Sequence, residues 1–125
     1  MSNCEPITGC VIQSSTFCNK ARLTDFDDVA LLQADIASIT WKAWDADNAV
    51  LVNDTALSVS TVISDTLLTT GWDVDAIGYN FSHIVEDDVC TTTGVHTIRY
   101  HVTLSGGQSF YTRKFQPDVQ ASEAA

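Results

Sequence analysis

The feature that most constrains this chain is a pair of alternating segments joined by a glycine turn. From His96 to Leu104, the residues His96, Ile98, Tyr100, Val102 and Leu104 fall on one side. Thr97, Arg99, His101 and Thr103 fall on the other. A period of two is the signature of a strand with one buried face. Ser105-Gly106-Gly107 follows, and glycine supplies the positive φ angles of a tight hairpin. Gln108 to Gln116 then returns, ending at Pro117.

The same alternation recurs along the chain. Ile39, Trp41 and Ala43 share one face, with Thr40, Lys42 and Trp44 opposite. Asp45-Ala46-Asp47-Asn48 marks a turn. Ala49–Val52 is a short strand, Asn53-Asp54 a second turn, and Leu57–Ile63 another alternating strand. Tyr79, Phe81, His83 and Val85 line one side of a further strand. Val11–Leu23 reads as a first strand region with a break at Ser14–Ser15. Thr24–Ser38 is an acidic loop with one helical turn within Leu31–Ile36. Ser64–Gly78 is the least regular stretch, expected as a turn or a short helix carrying Leu67, Leu68 and Trp72 as a lid on the core.

About seven short strands with turn signals every 8–12 residues are the pattern of an immunoglobulin-like sandwich. The expected fold is therefore all-β: an antiparallel sandwich over residues 14–117, an extended arm at 1–13 and a polar tail at 118–125. At 125 residues with 45% hydrophobic content, one domain can build one real core.

Sixteen acids against six bases give a formal charge of −10. Nucleic acid and anionic membranes need clustered Lys and Arg, so neither is expected as a partner. No apolar run reaches the roughly 20 residues of a membrane span. Met1–Gly9 lacks the basic and apolar regions of a signal peptide. Synthesis in the cytoplasm follows as the expectation.

The four cysteines are Cys4, Cys10, Cys18 and Cys90. Their spacing matches no zinc pattern. Three readings stand. Free buried thiols are one, with Cys18 fitting best because it lies in a strand. A structural disulfide is another, with Cys90 the distant partner of one N-terminal cysteine. The third is an intermolecular disulfide from Cys4 or Cys10 in the arm, formed late, for instance after cell lysis.

No nucleophile elbow, paired-carboxylate cleft or phosphate loop occurs, and no enzyme, cofactor or metal site is expected. Asp45 and Asp47 lie in a turn of the kind that holds calcium, yet without the glycine and twelfth-position glutamate of an EF-hand. Trp41 belongs to the core. Trp44, Trp72 and Tyr79 are the candidate interface residues, for a protein or a sugar.

The segments STFCNKARLTDFDDVALLQADIASITWKAWDAD, GYNFSHIV and HTIRYHVTLSGGQSFYTRKF, spread over Ser14–Phe115, resemble the N-terminal module of phage baseplate upper proteins. The resemblance implies a non-enzymatic virion protein, docked to a tail baseplate or forming a small fibre or adaptor, in a homo-oligomer or hetero-assembly. Baseplate upper proteins continue into further domains, so a lone module is expected to act by itself. A capsid decoration (cement) protein and a carbohydrate-binding module for host attachment are the alternatives.

Overall fold

The computed structural model describes residues 7–25, 27–72, 74–112 and 114–121. Its strands are β1 (Ile7–Ile12), β2 (Phe17–Ala21), β3 (Ile36–Trp44), β4 (Val50–Leu57), β5 (Ile63–Leu68), β6 (Tyr79–Val85), β7 (Gly94–Val95), β8 (Thr97–Leu104), β9 (Ser109–Tyr111) and β10 (Phe115–Gln120). One helical turn, α1 (Val59–Val62), and a 3-10 turn, Gln33–Asp35, complete the set. The larger sheet runs β1-β10-β8-β3-β4, with β7 added on β10 and β9 on β8. The smaller runs β2-β6-β5. The two pack as an all-β sandwich. Its pairings are antiparallel except that β1 runs parallel to β10, which makes the larger sheet mixed.

The alternation seen in the sequence builds the core. Ile98, Tyr100 and Val102 of β8 are fully buried, and β3, beside it in the same sheet, adds Ile39, Trp41 and Ala43 to the same inner face. Phe81, His83 and Val85 of β6 close the core from the other sheet. Each fully buried aliphatic or aromatic side chain stabilises the fold by roughly 1.5–3 kcal/mol. A register shift between Ile36 and Ser38 resets the phase of β3, so Ile36 and Ile39 are both buried although three residues apart.

Two buried polar groups are fully accounted for. Asn80, 2% exposed, accepts from Leu23 N–H at 2.7 Å and donates to the Leu23 and Leu31 carbonyls at 2.9 and 2.8 Å. One amide thereby holds the 22–31 segment to β6. His96, also buried, sits 3.1 Å from the Gly94 carbonyl through Nδ1. Gly78 has φ +111°, and a Cβ there would lie 2.5 Å from the Leu68 carbonyl oxygen. Only glycine fits.

Several expectations are corrected. Within the described residues, the segment read as an irregular arm forms β1. Pairing with β10 satisfies its backbone without requiring an alternating side-chain pattern. β10 continues past Pro117 to Gln120, and the Pro117 carbonyl accepts from His96 N–H at 2.9 Å. The Asn53-Asp54 turn is absent: β4 runs through it, with Asp54 at φ 44°. Val59–Val62, read as strand, is a helical turn, and the strand follows at Ile63–Leu68, where a turn or a short helix was expected from Ser64 onward. Leu67 and Leu68 are exposed and form no lid. The return after the glycine turn splits into β9 and β10.

Candidate functional site

Each cysteine reading meets the structure differently. Cys4 lies outside the described residues. Cys10 and Cys18 are free and exposed, and Cys90 is free and buried. The expectation of Cys18 as the buried thiol is therefore corrected. Its neighbour Asn19 takes the inward position, because its amide reaches a core hydroxyl that a thiol could not serve as well. Cys10 and Cys18 line one cleft of about 220 Å³ between the edges β1 and β2. Burial pushes the Cys90 thiol up to about 11, which keeps it protonated and unreactive.

The three candidate interface aromatics do not converge. Trp72 and Tyr79 meet on the smaller-sheet side, ring centroids 5.5 Å apart. Tyr79 is buried, with the Lys20 ammonium 5.5 Å from its ring. The Trp72 indole N–H donates to Asp75 at 2.9 Å. That bond, followed by the Gly78 backbone amide, holds the Asp75 carboxyl far below the usual carboxylate range. Arg22 completes the turn with an ion pair to Asp75 at 2.8 Å. Trp72 and Tyr79 thus serve a self-contained loop.

Trp44 belongs to a different surface, the outer face of the larger sheet. Lys42 is paired with Arg99 across β3 and β8, Thr40 with His101, and His101 with Tyr111 across β8 and β9. This register gathers side chains that are far apart in sequence. The Arg99 guanidinium lies 5.5 Å from the Trp44 ring centroid and 4.3 Å from that of Tyr111. Lys42 Nζ is 5.2 Å from Trp44. The His101 ring stands 4.6 Å from Tyr111. Val50 of β4, half exposed, is the cross-strand neighbour of Trp44.

Among the described residues, Arg22–Asp75 is the only ion pair, so Arg99 and Lys42 have no carboxylate partner. None of Thr40, Lys42, Trp44, Thr97, Arg99, His101, Thr103, Ser109 and Tyr111 is acidic, although the chain holds sixteen acids; on the neighbouring β4, Asn53 and Asp54 stand opposite Lys42 at a bulge. The cation–π contacts hold the guanidinium in place before any partner arrives. Trp, Tyr and Arg are the residues most enriched at energetic centres of protein interfaces. Among the described residues the edge strand β4 beside them pairs with β3 alone, and an edge of this kind offers a row of backbone groups for pairing.

No group of three or more metal-ligating side chains occurs among the described residues. Asp45 uses its carboxylate on its own turn, accepting from the Asp47 and Ala49 amides at 2.9 Å each. No protein-family model matches this chain, and no curated protein matches it in sequence.

Proposed function

We propose that this chain is a non-enzymatic structural protein of a tailed-phage particle that docks onto neighbouring proteins through the outer face of its larger sheet. The observation carrying the docking role is the Trp44–Arg99–Tyr111 stack, a pre-ordered cation beside two aromatic rings with no ion pair to an acid among the described residues. The particle setting rests on the sequence resemblance alone. A baseplate part, a small fibre or adaptor and a capsid decoration protein would all use this face. The exposed Cys10 thiol on the edge strand β1 is a point where such a contact becomes covalent under oxidising conditions.

Retention on purified particles tests the reading. Particles grown with the wild-type chain should carry it through purification, and Arg99→Glu should be lost from them while folding normally. Equal retention of both would refute docking through this face. Absence of the wild-type chain from the particles would refute the virion setting.

A further inference from the structure

We propose that the Trp44–Arg99–Tyr111 face receives the Glu86-Asp87-Asp88 corner of a second copy of this chain. The inference rests on the docking role above and names the partner. Arg99 is flanked by two rings, which leaves its N–H donors for an acceptor outside the molecule. Guanidinium N–H groups pair best with a carboxylate, in a two-bond fork. Lys42, across the strand from Arg99, adds a second positive charge.

The complementary charge is on the same chain. Glu86, Asp87 and Asp88 are consecutive and exposed. Their carboxylates accept no hydrogen bond among the described residues. Those of Asp25, Asp45 and Asp75 are engaged by their own turns, while those of Asp27, Asp28 and Asp47, like the corner, accept none among the described residues. The corner is also fixed in place. Val85 and Cys90 anchor it in the core on either side, and the Val89 N–H bonds the Glu86 carbonyl at 3.3 Å. A rigid anionic corner and a rigid cationic face lose little conformational freedom on pairing.

The net charge of −10 opposes association of two copies at long range. At physiological salt, however, charges more than about 8 Å apart are largely screened. The local charges in contact then decide. Because the face and the corner are different surfaces, two copies can pair reciprocally about a two-fold axis, or head-to-tail into a ring or a chain.

Sedimentation velocity of the full chain at physiological salt, with reductant present to exclude thiol cross-links, tests the proposal. Wild type should form concentration-dependent oligomers. Arg99→Glu alone and the double variant Asp87→Lys/Asp88→Lys alone should each sediment as monomers. An equimolar mixture of the two should assemble, because each reversed surface meets its match. Lys42→Glu repeats the test on the same face if Arg99→Glu does not fold. A wild type that is monomeric at every concentration, or a mixture that stays monomeric with both variants folded, overturns the proposal. If wild type is monomeric yet Arg99→Glu is still lost from particles, self-docking falls and the docking role stands.

Discussion

Asn19 donates its Nδ2 proton to the Tyr100 hydroxyl at 3.0 Å, joining the two sheets through the centre of the core. The same hydroxyl shares a second hydrogen bond with His83 Nδ1 at 2.7 Å. Trp41, Phe81 and Phe115 pack around the Tyr100 ring. Burial pushes the Tyr100 hydroxyl far above its usual range, so it stays protonated. An inter-sheet polar pin thus sits at the centre of the sandwich.

Removing the pin should be costly. Tyr100→Phe keeps the ring and leaves the Asn19 amide and His83 Nδ1 buried without their partner. A loss of about 1–3 kcal/mol is expected, read as a lower urea midpoint with an unchanged slope. A variant as stable as wild type would show that the pin contributes nothing.

The same pin makes stability depend on pH. Burial lowers the His83 pKa from 6.5 to about 4. Between those values the unfolded chain binds the proton and the folded one does not. Stability is therefore complete above about pH 6.5 and falls as pH drops toward 4, by roughly 3 kcal/mol at most. Urea unfolding at pH 7 and pH 4.5 should show this loss, and His83→Gln should flatten it. An equal pH dependence in both proteins would assign the loss to other groups.

Asn80 should be the most sensitive polar position. Asn80→Ala strands the Leu23 N–H and the Leu23 and Leu31 carbonyls. A loss of about 3 kcal/mol or more is expected. Amide hydrogen exchange should speed up along residues 22–31 before it does in β3 or β8. Uniform acceleration across the domain would contradict the local role.

The thiols should separate by exposure. Iodoacetamide under native conditions should label Cys10 and Cys18 and spare Cys90 until the chain is denatured. Early labelling of Cys90 would contradict its burial.

Much of the fold was legible because alternation reports a half-buried strand directly, as in Ile39–Trp44, Tyr79–Val85 and His96–Leu104. Leu57–Ile63 misled because Leu-Ser-Val-Ser-Thr-Val-Ile alternates, yet packing of Val62 and Ile63 into the core is satisfied by a helical turn followed by a strand. Cys18 and Asn19 misled in the opposite sense, since an amide with a buried partner outcompetes a thiol for the inward position. The candidate site was half visible. The placement of Trp44, Arg99 and His101 on outward faces followed from the strand period. Their convergence depends on the pairing of Lys42 with Arg99 and of His101 with Tyr111, which no single strand encodes. Trp72 and Tyr79 stood beside Trp44 as candidate interface residues in sequence, and the Asp75 turn that absorbs Trp72 becomes evident only in the folded chain.

The most direct test of docking through the larger sheet is hydroxyl-radical footprinting of Trp44 and Tyr111, in the isolated protein and in its native assembly. Docking through this face predicts strong protection of both rings in the assembly, with Trp72 oxidised at an unchanged rate. Equal oxidation of Trp44 and Tyr111 in the two states would contradict it.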